Sequence, residues 1–200
     1  MELHEAIDGR RMTRRFRPTP LDEALVSQLL AFAASAPSAG FSQGVELLAL
    51  VRAERRARFW ELASAVEWRE QAPEAAGLMA APLVVVPFAD PAAYTRRYAE
   101  PDKASSRLGG RPAREWPVPY WIVDASFAAM LVLLAAEDAG LGGLFFQLHG
   151  EADEILAGLG VPEGRVAIGA LAIGERDGDA AGTSRPARPR RRLVHLDDVT

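Results

Sequence analysis

Arg10, Arg11, Arg14, Arg15 and Arg17 crowd into one short run, "RRMTRRFR", with no acid among them. Like charges this close repel on a helix, and the chain as a whole is acidic, with a formal charge of -4 at pH 7. The run is therefore a solvated basic face, a contact for an acidic partner surface, or the receptor of an anion. A second basic group, Arg185, Arg188, Arg190, Arg191 and Arg192, lies near the other terminus. Two such groups can meet around one phosphate, because guanidinium forks match phosphate oxygens and keep their charge at any relevant pH.

The loop "APSAGFSQG" is the second chemical feature. Ser38, Ala39 and Gly40 lack bulk, so a planar ligand can approach the backbone there, and Gln43 can both donate to and accept from a ring edge. An ordinary connection between helices has the same composition. Gly140, Gly142 and Gly143 in "AGLGGLFF" precede a strand rather than open a helix, which excludes a dinucleotide fingerprint; they read as a helix end and a strand start. His4, His149 and His195 have no metal-ligand spacing, and the absence of cysteine excludes thiolate chemistry and cysteine-held zinc or iron–sulfur. No side chain stands out as a general acid. Tyr94, Tyr98, Trp116, Tyr120 and Trp121 read either as core packing or as a lid over a flat ligand.

These residues need a scaffold. Two hundred residues, 49% hydrophobic and 25% charged, suit one globular domain with a sizeable core. The acidic balance argues against nucleic acid as a partner. A charged N-terminus without an apolar signal segment predicts a cytoplasmic location. "WIVDASFAAMLVLLAAEDA" (121–139) is apolar on nearly every face, yet its uncharged stretch, Ala125 to Ala136, is shorter than the roughly 20 residues a bilayer span needs. It predicts a core helix that also contributes to a dimer, with no membrane involved. A short helix is expected over 2–10. A second follows, capped by Thr19 with Pro20 in its first turn, and Pro37 ends it. Strands are expected at 45–51, 82–88, within 140–148, and over 165–175, with a helix running from the first strand to about Glu70. Residues 99–119 read as a polar insertion punctuated by Pro and Gly. The order predicts an α+β fold: a mixed, mainly antiparallel sheet of four or five strands packed by helices.

Taken in order, "RRMTRRF", "APSAGFSQG", the long apolar helix, "GLGGLFF", "VPEGRVAIGALAIGE" and the Arg-rich C-terminus resemble the nitroreductase family of FMN-dependent oxidoreductases. The resemblance covers essentially the whole chain as one domain, 1–200. It implies a homodimer with two FMN sites at the subunit interface, beside which the long helix lies. Arg10, Arg11 and Met12 match the stretch that holds the flavin phosphate and ribityl chain, and Arg14 the basic position near the N1–C2=O edge. Arg15 and Arg17 are expected to point to water or to a nearby acid. Pro37, Ser38, Ala39 and Gly40 match the loop that reaches the flavin from the other subunit, with Gln43 beside it. Backbone around Phe146, Gln147 and Leu148 matches the segment facing N5, and Arg191 and Arg192 match phosphate ligands. NADH or NADPH is the implied hydride donor, and a nitroaromatic, quinone or enone-like molecule the implied acceptor. A non-catalytic flavin store, or an enzyme that fragments reduced FMN with oxygen, would carry the same motifs. Three departures stand out: Met12 where a hydroxyl residue is common, Phe41 where an amide is common, and the 99–119 insertion.

Overall fold

The computed structural model describes residues 1–178. Arg185, Arg188, Arg190, Arg191, Arg192 and His195 lie outside the described residues. In chain order the elements are α1 (Leu3–Gly9), α2 (Glu23–Ala31), β1 (Val45–Leu50), α3 (Ala53–Ala63), α4 (Val66–Gln71), α5 (Ala75–Met79), β2 (Leu83–Ala89), α6 (Pro91–Tyr98), α7 (Tyr120–Asp138), β3 (Gly142–Phe146), α8 (Ala152–Gly158), β4 (Val166–Ala167) and β5 (Ala170–Gly174). The expected α+β architecture is present, and the named strands pair only antiparallel, in the order β1-β2-β5-β3 with β4 also on β2.

The apolar run of β2 explains the layering. Successive side chains of a strand point to opposite faces, and every residue of β2 is buried. Val84, Val86 and Phe88 face one core with Phe59, Trp60, Ile155 and Leu156, under α3 and α8. Leu83 and Val85 face the other with Leu29, Val132 and Leu133, under α2 and α7. The sheet is thus sandwiched, and α7 covers one of its faces. Pro87 cannot donate to a ladder. It falls between the Val85↔Leu171 and Phe88↔Ala167 pairs, opposite the break that separates β4 from β5.

Four local expectations change. Asp22, not Thr19, caps α2; its carboxylate accepts the N–H groups of Ala24 and Leu25. The helix expected to run to Glu70 is broken at Ser64, whose extended backbone starts a new turn; Arg69 holds the corner by donating to the Trp60 carbonyl at 3.0 Å. The strand expected over 165–175 is interrupted at Ile168–Gly169. Gly169 has φ +140, and a Cβ there would lie 2.6 Å from the Phe146 carbonyl oxygen. Pro37 follows the α2 region, but a 3-10 turn, Phe32–Ser35, already ends it.

The N-terminal segment seals the β3 edge. Met12 pairs with Gly143, Thr13 N–H donates to the Gly143 carbonyl at 2.9 Å, and Phe16 pairs with Arg176 just past β5. The approach requires glycine: a Cβ on Gly142 would meet the Thr13 side chain at 2.6–2.8 Å. Gly142→Ala is therefore expected to destabilise the protein by about 1–3 kcal/mol, read as a lower urea midpoint. An unchanged midpoint would refute this contact.

Candidate functional site

The arginine run is not a helix. α1 stops at Gly9, and residues 10–17 then cross the ends of β3 and β5, bridged at Met12 and Phe16. The course of this segment separates the side chains. Thr13 and Phe16 turn inward and are buried; Arg11, Arg14, Arg15 and Arg17 are exposed. Arg10 is half-buried, and its Nη1 is buried without a hydrogen-bond partner among the described residues. Arg11 folds back onto the carbonyls of Asp8 and Arg10. Arg15 reaches Asp177 at 3.4 Å, an acid as expected, and Arg17 is exposed to water. Met12 packs against both apolar cores. Its thioether is a packing element, and the hydroxyl of this segment belongs to Thr13, one residue on.

The loop 37–43 is held from several sides. The Asp124 carboxylate, buried in α7, accepts Ala39 N–H at 2.8 Å and the Tyr94 hydroxyl at 2.8 Å. Ser38 Oγ accepts Gln43 N–H at 2.9 Å, and Phe41 N–H donates to the Ser38 carbonyl at 2.8 Å. Gly40, Phe41 and Gln43 have φ of +62, +58 and +50. Only glycine adopts that region without cost, so the side-chain hydrogen bonds hold two residues in strain. A cleft of about 180 Å³ opens beside this loop, lined by Pro37, Ser38, Phe41, Gln43, Asp124 and Ala128 among others. A larger cleft, about 400 Å³, lies under α8 between Glu154, Val161 and Arg165 and contains none of the candidate residues.

The roles of Asp124 and Arg97 escaped the sequence reading, as did the bond from the Tyr94 hydroxyl to Asp124. Asp124 carried a signal: an acid inside an apolar helix must be partnered or pay the full cost of desolvation. The aromatics named as packing or lid are packing in part. Tyr94 and Trp116 are buried, and Trp116 stacks edge-on against Tyr98 and Tyr120.

Phe146 ends β3, paired with Ala170, and its ring stacks on Trp60 at 5.4 Å. Gln147 and Leu148 lie past the last ladder pair; Gln147 is exposed and Leu148 buried. His149 is exposed, and no metal-binding cluster occurs among the described residues.

One chain does not bring the two chemical features together. The loop sits at Asp124, near the start of α7. The segment before the arginines sits at the other end, where the N-terminal amine pairs with Asp138 and α1 packs on α7. Asp124 and Asp138 stand at opposite ends of the helix, roughly 20 Å apart at a rise of about 1.5 Å per residue.

A sequence profile of the nitroreductase family matches residues 7–175. No curated protein matches. Among solved structures, nitroreductase A from Vibrio parahaemolyticus superposes with TM-score 0.72 at 22% identity, covering 100% of this chain and 77% of that one. The NADPH:FMN oxidoreductase of Vibrio harveyi, solved with NAD+, gives TM-score 0.71 at 23% identity over 99% and 78%. A protein of Exiguobacterium sibiricum solved with FMN gives 0.68 at 20% identity over 97% and 94%. At these identities the likeness is one of fold.

Burial and the Asp124 carboxylate push the Tyr94 phenol well above its usual 10.0. A proton held more tightly in the folded state contributes stability that is complete below pH 10 and lost as pH rises through the folded value. Alkaline absorbance titration should therefore show Tyr94 lagging, with the shortfall reduced in Tyr94→Phe; burial raises Tyr98 as well, so part of it remains. Asp124→Ala, which strips both donors of their acceptor, should cost about 1–3 kcal/mol or more in urea unfolding. Normal tyrosine titration together with an unchanged midpoint would refute this network.

Proposed function

This chain belongs to the nitroreductase family, and we propose that it works as an FMN-dependent oxidoreductase using NADH or NADPH. The observation that carries the reading is the buried Nη1 of Arg10, without a partner among the described residues, within a run of arginines. A buried donor on a permanent cation calls for an anion, and a flavin phosphate supplies one. The small residues of the 37–40 loop and its adjacent cleft fit a planar ring. The residues present therefore fit FMN.

In this reading Arg10 and Arg11 hold the phosphate and ribityl chain, with the Met12 backbone beside them. Arg14, exposed on the same segment, holds a fixed positive charge toward the N1–C2=O edge, which favours the more negative reduced form. Pro37, Ser38, Ala39 and Gly40 lie against the ring, and Gln43 meets its polar edge. Backbone around Phe146, Gln147 and Leu148 faces N5; Arg191 and Arg192, matched to the phosphate by the family resemblance, lie outside the described residues. Bound FMN supplies two-electron transfer between a nicotinamide and a small organic acceptor. The protein positions both reactants in turn on one face and shields them from water, with no side chain acting as general acid. The acceptor class is nitroaromatic, quinone or enone-like.

The reading requires two chains. Because the loop and the arginines occupy opposite ends of α7, a two-fold pairing with α7 antiparallel brings one chain's arginines to the other's loop. Leu3, Ile7, Phe127 and Met130 are exposed apolar residues on α1 and α7, the surface such a homodimer would cover. The reading also puts the enzyme in the cytoplasm, where reduced nicotinamide is generated.

The purified protein should be yellow or take up FMN, and anaerobic NADH or NADPH should bleach it within minutes. Failure to bind FMN would overturn the reading, and bound flavin that no nicotinamide reduces would favour a storage role. Arg14→Ala should weaken FMN binding by about 1.5–3 kcal/mol and lower the flavin's reduction potential, whereas Arg17→Ala should change neither. Equilibrium binding and redox titration measure both.

A further inference from the structure

The 99–119 insertion has no role in the reading above. Yet it is joined to the strained loop by two adjacent residues of α6. Arg97 Nε donates to the Gly40 carbonyl at 2.8 Å. The rest of the same guanidinium reaches forward. Nη1 and Nη2 form parallel bonds to the two carboxylate oxygens of Asp102, both at 2.7 Å, and Nη1 also reaches Glu100 at 3.0 Å. Such a two-pronged pair fixes geometry as well as energy. The Arg97 guanidinium also holds the Asp102 carboxyl below its usual range, so the pair is intact at neutral pH.

Tyr98 supplies the second connection. Its ring lies against Gly40, where an added Cβ would be 2.6 Å from the ring. Trp116, near the end of the insertion, packs edge-on to the same ring at 4.9 Å, and Lys103, near its start, sits 5.9 Å from the ring centroid. Trp116 is anchored in turn by its Nε1, which donates to the Arg111 carbonyl at 3.1 Å. Both ends of the insertion therefore grip the residue on which Gly40 rests.

The loop needs such support. Phe41, at φ +58, is 72% exposed. An apolar side chain held in water on strained backbone gains nothing locally, and strain of this kind marks a functional position held by its surroundings.

We propose that Arg97 and Tyr98 are positioning residues for the 38–43 loop, and that the insertion sets the shape of the flavin-facing loop through them. This deepens the FMN reading and rests on it. Asp102, Trp116 and Lys103 act at one remove, by fixing Arg97 and Tyr98. The insertion thereby determines where Phe41 is presented to a flat ligand, and so which flat acceptors the site admits.

Hydrogen exchange on the full-length protein, with and without FMN, tests this. In Arg97→Met the amides of Phe41, Ser42 and Gln43 should exchange at least about tenfold faster, as expected for loss of a charge-assisted bond, while amides of β5 and α7 keep wild-type rates. The FMN Kd should rise by a similar factor. Asp102→Asn, at an exposed carboxylate, should move both quantities the same way by less, and decides the matter if Arg97→Met does not fold. Arg97→Lys lacks the planar fork and should not restore the loop. Wild-type rates at 41–43, or equal acceleration throughout the molecule, would overturn the proposal. If the wild-type protein binds no FMN, the functional reading fails, while the exchange rates without flavin still decide whether Arg97 holds the loop.

Discussion

A carboxylate buried in an apolar helix is the constraint around which this structure is arranged. Asp124 would be costly in the α7 interior if left alone. Two donors from different parts of the chain, the Ala39 amide and the Tyr94 hydroxyl, meet that demand. Each comes from a segment with little apolar anchorage of its own. The loop 37–43 has no buried hydrophobic residue, and α6 is a short helix leading into the insertion. Asp124 thus converts the charge requirement of one helix into fixed positions for a loop, a helix and the segment beyond it.

The cores on the two sides of the sheet have a complementary role. β2, buried on both faces, sets a rigid plane. α7 lies along that plane and carries a different chemical feature at each end: the polar anchor for the loop at its start, the N-terminal segment at its finish. In the proposed dimer this helix is the spacer between half-sites. Its nearly uniform apolarity follows, since one side meets the sheet while Phe127 and Met130 on the other remain exposed.

What was legible in the sequence follows from periodicity and composition. The apolar run of α7 and the β-branched run of β2 fall within a residue or two of their expected bounds, because burial alone dictates both patterns. The arginine run and the glycine-rich approach to β3 were visible as composition. Their geometry was not, since the extended course of residues 10–17 depends on pairing with Gly143 and Arg176 far along the chain. Thr19 and Asp22 are both good caps, and Pro20 pointed to the wrong one; the choice rests on where the chain enters the second core. Nothing in "LASA" marks the corner at Ser64, which is made by Arg69. Positive φ at Phe41 and Gln43 was illegible for a similar reason: those residue types do not favour it, and the bonds that impose it come from Ser38 locally and from Asp124 and Arg97 at a distance. The apolar side chain of Met12, a departure from the hydroxyl common there, is accounted for by its packing between two cores.

The sealing of the β3 edge by residues 12–16 has a consequence for how the molecule is made. These residues are synthesised well before their partners, Gly143 and Arg176, which lie far along the chain. Contacts between such distant parts of a chain close late, because the loop entropy must be met before they form. During synthesis the arginine run therefore waits, unpaired and highly charged, until nearly the whole described domain has emerged. A basic, well-hydrated segment is suited to that wait, since it resists premature collapse where an apolar strand would seek the wrong partner. The same charge that suits the finished protein to an anion would then also protect its unfinished edge.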